Sequence, residues 1–358
     1  MHVAFTSVSY RRRMRSLRPL LVCLLAAAVW AGTAAPVTAE PPRTVDLQAH
    51  RGGLGLVTES TLAGFDAAMR LGVTTLELDT QVTKDRRVVI THDRKVDAKK
   101  CADTAPATPG DPQFPYVGKY VRELTYAQVR TMNCGYEKLA GYSAQRVVTG
   151  ARIPELRELF DLVRSRHSPV RMNIETKVEA AAPEQTAPRG EFVAAVAGEI
   201  SRSGLARQVT IQSFDWTALR EIGPLLPGVG LVALTNGEQF LQTGKPGASP
   251  WLGLDVDGYG GDWVRAAKAT IPGLIAISPV QGDPQDGGVG DPGFVRFTTP
   301  ELISRAHALG LSVIPWTVND PATMRALLTD GADGLITDYP DRARAVLREL
   351  GFALPSPS

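Results

Sequence analysis

The sequence predicts an α/β protein built as a closed (β/α)₈ barrel, the TIM-barrel fold. Short β-rich runs alternate with helical patterns along most of the chain, as in folds whose parallel strands are joined by helices. Eight strand runs are present, which is the number that closes such a barrel. The chain of 358 residues is longer than the roughly 250 of a typical barrel, so insertions are expected. A flavodoxin-like open sheet is the alternative, but charged residues at the ends of the strands favour closure.

The predicted strands are short apolar runs rich in β-branched residues, bounded by glycine, proline or charged positions. In chain order they are Val45–His50, Thr75–Val82, Val170–Lys177, Val209–Phe214, Gly230–Thr235, Leu274–Val280, Leu311–Val318 and Gly334–Thr337. Near-continuous apolar runs of this kind are typical of parallel strands that are covered on both faces.

Helical patterns, with apolar residues three and four positions apart, separate most of these strands. They cover Thr61–Leu71, Glu155–Arg166, Glu191–Ser203, Trp216–Leu225, Pro300–Leu309, Pro321–Thr329 and Asp341–Leu350. The connection between Thr235 and Leu274 has the weakest helical pattern.

One segment, Val96–Gly150, breaks the alternation, and we expect it to be an insertion into the barrel. It contains Cys101 and Cys134, a proline-rich stretch at Pro106–Pro115 and a helical pattern near Tyr126–Met132. Its length and composition make it the clearest departure from the βα repeat.

Residues 1–39 have the features of a secretory signal peptide. Residues 1–39 contain five arginines and no acidic residue. The arginines precede an apolar run, Leu20–Gly32, that is shorter than the roughly 20 residues of a membrane span. Small residues follow, up to Ala39. We therefore expect secretion by the Sec or twin-arginine route, cleavage near Ala39 and a mature domain at 40–358. A retained membrane anchor is the alternative.

The charge balance argues against a nucleic-acid-binding protein. The 39 basic and 37 acidic residues give a net charge of +2, with no basic excess to form a phosphate-binding patch. No Gly-x-Ser-x-Gly motif is present in the sequence, which removes the commonest serine-hydrolase signature.

The cysteines are consistent with export, because Cys23 would leave with the signal peptide and an even number would remain. We expect Cys101 and Cys134 to form a disulfide bond, which the chain-entropy model values at roughly 3 to 4 kcal/mol. Two separate thiols are the alternative.

Acidic residues recur at the ends of the predicted strands. Glu77 and Asp79 are two residues apart in the second strand, so their carboxylates point to the same face. Glu175 and Lys177 repeat this arrangement in the third strand. A single strand with this pattern often has one face exposed to solvent and no functional role. The interior of a barrel is normally apolar, however, so charged residues on two of its strands need another explanation. Three carboxylates and one ammonium group therefore indicate a functional site at one mouth of the barrel.

Two of the five histidines also stand at the ends of β-rich runs. His50 ends the first strand, and His92 ends the run that begins at Val88. Either one alone is more often a structural or surface residue than a catalyst. His167 and His307 lie in or just after predicted helices, away from any strand end.

Together these motifs resemble the glycerophosphodiester phosphodiesterase family. The matching N-terminal motifs are His50-Arg51-Gly52, Glu59-Ser60-Thr61 with Phe65 and Ala68, Glu77-Leu78-Asp79, Thr83-Lys84-Asp85 and His92-Asp93. Later motifs are Asn173-Ile174-Glu175-Thr176-Lys177, Gln212-Ser213-Phe214, Pro315 to Asn319 and Gly334 to Pro340. The resemblance spans nearly the whole mature chain. One departure is Thr58-Glu59-Ser60-Thr61, where the family usually has Pro-Glu-Asn-Thr.

The resemblance implies a metal site and a phosphate site. Glu77, Asp79 and Glu175 would bind one divalent cation through oxygen, which suits Ca²⁺ or Mg²⁺. Zinc is disfavoured because no His or Cys ligand is close in the sequence. Arg51 and Lys177 would neutralise the phosphodiester.

The resemblance also implies the reaction. His50 and His92 would share acid and base catalysis while a hydroxyl of the substrate's glycerol attacks phosphorus. Water would then open the cyclic phosphate to give glycerol 3-phosphate and an alcohol such as choline or ethanolamine. Trp316 stands near the end of the seventh predicted strand, and this position together with the family motif favours a wall for the glycerol or alcohol part over a place in the core. Tyr259 and Trp263, in the region after the fifth predicted strand, are further candidates to line the leaving-group pocket.

Other functions remain open from the sequence. A lysophospholipase D or sphingomyelinase D-like enzyme would share the barrel and the paired histidines but admit an acyl chain, and the segment Val96–Gly150 would shape its entrance. A binding or structural relative without activity is a third class, although every proposed catalytic position is filled. Glycoside hydrolysis by paired carboxylates leaves the two histidines and Lys177 without a role.

Overall fold

Strands dominate the centre of the structure, a computed structural model that describes residues 43–358. The predicted signal peptide, residues 1–39, lies outside the described residues. The main sheet contains β1 (Asp46–Ala49), β2 (Thr75–Val82), β3 (Val88–Ile90), β4 (Arg171–Thr176), β5 (Val209–Ser213), β6 (Gly230–Thr235), β7 (Leu274–Pro279), β10 (Ser312–Val313) and β11 (Gly334–Thr337). A separate hairpin pairs β8 (Gly282–Asp283) with β9 (Val295–Arg296).

Eight of the main-sheet strands are parallel and form a barrel, in the order β10-β7-β6-β5-β4-β2-β1-β11. Backbone hydrogen bonds also join the two end strands: Asp333 N donates to Val313 O at 2.9 Å, and Ile336 N donates to Pro315 O at 3.0 Å. β3 is the exception, since it pairs antiparallel with β2 outside the barrel order. The predicted (β/α)₈ barrel is confirmed.

Helices follow most of the barrel strands and pack on the outside of the barrel. They are α1 (Leu62–Leu71), α2 (Tyr126–Val129), α3 (Leu156–Ser165), α4 (Arg189–Ser203), α5 (Trp216–Ile222), α6 (Glu238–Leu241), α7 (Trp263–Thr270), α8 (Pro300–Ala308), α9 (Pro321–Thr329) and α10 (Pro340–Glu349). In α3 the buried residues are Leu156, Leu159, Phe160 and Val163, the spacing of one helix face. Within residues 43–358, none of the helices combines the length and apolar character that crossing a membrane requires.

Two elements differ from the sequence prediction. The strand predicted over Leu311–Val318 is regular only in β10, although Trp316 N still donates to Pro279 O at 3.1 Å and keeps the chain beside β7. The connection between Thr235 and Leu274, where the helical pattern is weakest, contains the short helix α6 and the longer helix α7. The start of α7 is set by Asp262, whose side chain accepts hydrogen bonds from the first free backbone N–H groups.

The segment 96–150 adds no strand to the barrel and contains only α2 and a short 3₁₀ turn. It has a small apolar core of its own, which includes Val96, Tyr116, Val121, Leu124, Val129 and Met132. Cys101 and Cys134, which are 33 positions apart, form a disulfide bond in this segment. The predicted cysteine pairing is therefore present in the structure, and it fixes the first part of the segment to its middle.

Candidate active site

A sharp turn at the carboxyl end of β1 presents the first site residues. The 3₁₀ turn His50–Gly52 follows β1 directly, and φ is positive at Arg51 (51°) and Gly52 (82°). A side chain at Gly52 would place its Cβ 3.0 Å from the ring of Phe65, so both the backbone angle and the space favour glycine. The turn aims the backbone N–H of Arg51 inward, where it donates to Glu77 Oε2 at 3.0 Å.

His50 is held by a carboxylate from the other end of the chain. Asp338, directly after β11, accepts a hydrogen bond from His50 Nδ1 at 2.5 Å. The second oxygen of Asp338 accepts hydrogen bonds from Asn319 Nδ2 at 2.7 Å and from the hydroxyl of Tyr142 at 3.1 Å. Burial and the positive charge of Arg51 lower the pKa of His50, but Asp338 and Glu77 outweigh both and raise the pKa above its ordinary value. The surroundings therefore favour the protonated ring.

Three carboxylates converge at the ends of β2 and β4, as the sequence predicts. Asp79 and Glu175 are register partners on the two strands, and Glu77 lies two residues before Asp79 on the same face. One oxygen from each carboxylate lies within 4.8 Å of the other two. All three side chains are buried. This cluster could hold one metal ion through oxygen donors, the ligands that hard cations prefer.

Burial and mutual repulsion disfavour the simultaneous ionisation of these three carboxylates. Burial raises the pKa of Glu77 to about 7, with Asp79 adding to the rise. Burial also raises the pKa of Glu175 to about 8, in spite of the nearby Lys177. The pKa of Asp79 is held well below its ordinary value because Arg51 and other cations outweigh its burial. A divalent cation among the three oxygens would remove this conflict, so the residues fit a metal.

Two basic side chains stand beside the carboxylate cluster. Arg51 Nε lies 3.1 Å from Asp79 Oδ2, and its Nη1 donates to Glu59 Oε2 at 2.9 Å. Lys177 Nζ lies 3.1 Å from Glu175 Oε1 and 3.7 Å from Asp79 Oδ1. Both side chains line the same cavity as the carboxylates, so an anion bound there would meet two positive charges.

His92 lies two residues beyond β3, in an electrostatic setting opposite to that of His50. Its Nδ1 donates to Asp93 Oδ1 at 2.8 Å, but the other oxygen of Asp93 is 2.7 Å from Lys100 Nζ. Burial, followed by the positive charge of Lys177, lowers the pKa of His92 well below its ordinary value. His92 is therefore expected to be neutral where His50 is protonated, which suits a base and an acid respectively.

A cavity of about 1090 Å³ opens at this end of the barrel and brings the predicted residues together. Eight of them line it: His50, Arg51, Glu77, Asp79, His92, Glu175, Lys177 and Trp316. The disulfide-bonded cysteines are not among the residues that line this cavity. The sequence therefore predicted which side chains converge, although they come from five separate segments of the chain.

The aromatic wall of the cavity agrees only partly with the prediction. Trp316 lines the cavity, and its ring meets Phe214 edge to face with centroids 5.3 Å apart. The expectation that Tyr259 and Trp263 line the leaving-group pocket is wrong. Trp263 is buried and stacks on another side chain outside the cavity, and Tyr259 packs against the barrel core.

Phe240 and Trp251 occupy the wall instead. They stack face to face with centroids 4.3 Å apart, and both lie next to Phe214. They come from the long connection between β6 and β7, where no strand or strong helical pattern indicates which side chains face the site. Sequence reasoning had no signal for them.

Three other supporting residues also had no role in the sequence prediction. Asp338 could have been found, because it follows a strand end as the other site acids do. Glu59 lies in the quoted Thr58–Thr61 motif and binds both Arg51 and Lys100. Lys100 comes from the segment 96–150, and nothing in its local sequence distinguishes it from the neighbouring lysine.

Sequence comparison places the chain among known proteins. The profile of the "Glycerophosphoryl diester phosphodiesterase family" matches residues 50–342. A glycerophosphodiester phosphodiesterase from Caldanaerobacter subterraneus is 26% identical over 307 residues, covering 85% of this chain and 98% of the relative. One from Bacillus subtilis is 26% identical over 339 residues, covering 92% and 97%.

Solved structures of similar proteins share the fold of this chain. A Silicibacter pomeroyi structure assigned to the glycerophosphoryl diester phosphodiesterases aligns with a TM-score of 0.69 and 28% identity, over 87% of this chain and 96% of that one. An Oleispira antarctica phosphodiesterase in complex with sn-glycerol-3-phosphate shares the fold, with a TM-score of 0.60, 18% identity and coverage of 85% and 96%. With the barrel and a family match over most of its length, the chain belongs to the glycerophosphoryl diester phosphodiesterase family and is a phosphoric diester hydrolase.

Proposed function

We propose that this cavity hydrolyses small glycerophosphodiesters to glycerol 3-phosphate and a free alcohol, with His50 and His92 as the acid and the base. The observation that carries the proposal is the pair of histidines in opposite electrostatic settings beside one carboxylate cluster. Substrates of the glycerophosphocholine or glycerophosphoethanolamine type carry the required phosphodiester and neighbouring hydroxyl.

Glu77, Asp79 and Glu175 would hold one divalent cation, Ca²⁺ or Mg²⁺. When bound, such an ion neutralises charge on the phosphate and activates an oxygen for attack. The three donors are all carboxylate oxygens, which supports a hard cation over zinc.

Proton transfer is assigned from the partners of each histidine. Neutral His92 accepts the proton of the glycerol hydroxyl next to the phosphate, and that oxygen then attacks phosphorus. Protonated His50, held by Asp338, gives its proton to the departing alcohol oxygen as the P–O bond breaks. Water opens the resulting cyclic phosphate with the two roles reversed, so both rings return to their starting states.

Arg51 and Lys177 bind the non-bridging phosphate oxygens. The guanidinium group is fixed by Asp79 and Glu59, so it is preorganised for contact with oxygen. Lys177, which directly follows β4, contributes a compact positive charge. Negative charge builds up on the phosphate in the transition state. Two fixed cations stabilise that charge better than two mobile ones, because they need no reorganisation during the reaction.

We also propose that the mature enzyme, residues 40–358 with the insertion 96–150, is secreted. The disulfide between Cys101 and Cys134 supports an oxidising compartment. Cleavage of a signal peptide at residues 1–39 is tested by N-terminal sequencing of protein collected from the medium. The secreted protein should begin near residue 40.

The proposed activity is tested with purified mature protein and a panel of glycerophosphodiesters that differ only in the alcohol. Release of glycerol 3-phosphate from at least one member is expected, measured with a coupled dehydrogenase assay. Equal amounts of glycerol 3-phosphate and alcohol should form. Release of glycerol with a phosphorylated alcohol would contradict the assignment, because attack would then break the other ester bond.

A lysophospholipase D-like activity is the second candidate function. The cavity of about 1090 Å³ slightly exceeds the roughly 300–1,000 Å³ of pockets for drug-sized ligands, so it has room for more than a small glycerophosphodiester. The lysophospholipase D of rat is 31% identical over 112 residues, which is 31% of this chain. Lysophospholipids therefore belong in the same substrate panel.

A further inference from the structure

The cavity is divided between a charged half and an uncharged half. Every charged residue that lines it comes from positions 50–179, whereas every lining residue from positions 212–336 is uncharged. The uncharged half contains four aromatic rings, Phe214, Phe240, Trp251 and Trp316, together with aliphatic and amide side chains. The phosphate-binding residues all lie in the charged half, so the uncharged half must receive a different part of the substrate.

The aromatic rings are arranged as a wall and not as a cage around a cation. Phe240 and Trp251 stack against each other at an interplanar angle of 4°, and Phe214 meets both of them edge to face. The ammonium group of Lys177 already lies 5.7 Å from the centroid of Phe214. A second cation there would be repelled by Lys177 and would find no carboxylate among the lining residues of positions 212–336. The wall suits an uncharged apolar group.

We propose that this wall, Phe214, Phe240, Trp251 and Trp316, binds the acyl chain of a lysophospholipid. The inference rests on the proposed phosphodiesterase function, which places the phosphate beside Arg51 and Lys177. All four rings are only partly buried, so each keeps apolar surface that an acyl chain would cover. The acyl chain therefore lies against the connection between β6 and β7, on the side away from the insertion 96–150.

The test compares glycerophosphocholine with a short-chain lysophosphatidylcholine, used below its micelle-forming concentration, because both release choline. The ratio of kcat/KM for the acylated substrate to kcat/KM for the deacylated one is expected to fall about 10-fold or more in Trp251→Ala and in Phe240→Ala. Trp251→Phe should retain most of the ratio. Tyr120→Ala, which removes an aromatic side chain from the insertion side of the same cavity, is the matched control and should leave the ratio unchanged.

The outcomes are distinct. If Trp251→Ala and Phe240→Ala lower kcat/KM for both substrates equally, the wall does not bind the acyl chain. If Tyr120→Ala is the variant that lowers the ratio, the chain lies on the insertion side, and the inference is overturned. A wild-type enzyme that hydrolyses glycerophosphocholine but no lysophospholipid also overturns it. A wild-type enzyme that hydrolyses neither substrate contradicts the proposed function itself.

A second, independent observation concerns Lys100 in the insertion. Its Nζ lies 2.7 Å from Asp93 Oδ2 and 2.7 Å from Glu59 Oε1. Asp93 holds His92, and Glu59 holds Arg51. A single ammonium group thus binds the two carboxylates that orient the proposed base and the proposed phosphate-binding arginine.

The position of Lys100 is itself fixed by the disulfide-bonded part of the insertion. Lys100 N donates to Asp97 O at 3.0 Å, and the next residue, Cys101, is bonded to Cys134. Beyond it, Ala102 pairs antiparallel with Asn133. The disulfide therefore holds the turn that carries Lys100 against the barrel mouth.

From these contacts we infer that Lys100 is a positioning residue, and that the disulfide acts on catalysis through it. Lys100→Met keeps the length of the side chain and removes the charge, so it is expected to lower kcat about 10-fold or more with a smaller change in KM. Lys100→Arg should restore most of kcat. Lys99→Met, at the exposed neighbouring lysine, is the matched control.

A double-mutant cycle tests the link to the disulfide. Replacing both cysteines with serine should lower kcat, and adding Lys100→Met to that variant should lower it little further, because both changes disturb the same contacts. Full additivity of the two effects would overturn the link. A Lys100→Met variant with wild-type kcat, or a Lys100→Arg variant as slow as Lys100→Met, would overturn the positioning role. Thermal unfolding of each variant separates these effects from loss of fold.

Discussion

Alanine at His50 or at His92 is expected to lower kcat by about 100-fold or more, because each variant removes one of the two proton-transfer groups. Neither side chain belongs to the apolar core, so the folded state should be retained. Steady-state kinetics with glycerophosphocholine and thermal unfolding of each variant measure the two effects. His307→Ala is the matched control, since His307 pairs with Asp333 on the surface and does not line the cavity.

The two alanine variants should also differ from each other. If His50 protonates the departing alcohol, a substrate with an acidic leaving group, such as a nitrophenol ester of glycerol phosphate, needs no such proton. The first step, followed as release of nitrophenol, should therefore recover much of its rate in His50→Ala, whereas it should not in His92→Ala. Recovery by His92→Ala alone would reverse the assignment of acid and base, and near-wild-type activity of either variant on glycerophosphocholine would exclude it from proton transfer.

Much of the fold could be predicted because the barrel repeats one simple pattern. Parallel strands that are buried on both faces are mostly apolar, and β2 is buried along its whole length. The two charged residues on this strand, Glu77 and Asp79, therefore stand out. For Leu311–Val318 the sequence predicts a longer strand than the structure contains. Its apolar residues indicate that the segment is buried, but they do not indicate where the backbone departs from strand geometry.

The site was predictable where it follows strand ends and unpredictable where it depends on loops. Glu175 and Lys177 sit on β4 or just after it, so the period of a strand fixes their direction. Phe240 and Trp251 reach the same cavity from a connection without a regular period. Lys100 depends on a turn and on a disulfide that bring residues distant in sequence together. Such contacts are set by tertiary structure, and a local pattern does not contain them.

The carboxylate cluster gives the second large effect, the dependence on a divalent cation. Glu77 Oε1 already accepts a hydrogen bond from Gln212 Nε2 at 2.7 Å, and Lys177 lies beside Glu175. These contacts offset only part of the repulsion, since burial and neighbouring acids still raise the pKa of Glu77 and of Glu175. A chelator should therefore abolish turnover, and added Ca²⁺ or Mg²⁺ should restore it, as followed by release of glycerol 3-phosphate.

Glu175→Gln separates the electrostatic role of this residue from its packing. The substitution removes a charge and almost no volume, so metal affinity, measured by calorimetric titration, should fall by about 10-fold or more. Thermal stability of the metal-free protein should stay near that of the parent, because burial already disfavours a charged Glu175 there. Gln128→Ala, which removes an amide side chain in the insertion, should leave metal affinity unchanged. Full activity after chelation, or unchanged metal affinity in Glu175→Gln, would mean that these acids transfer protons instead of binding a metal.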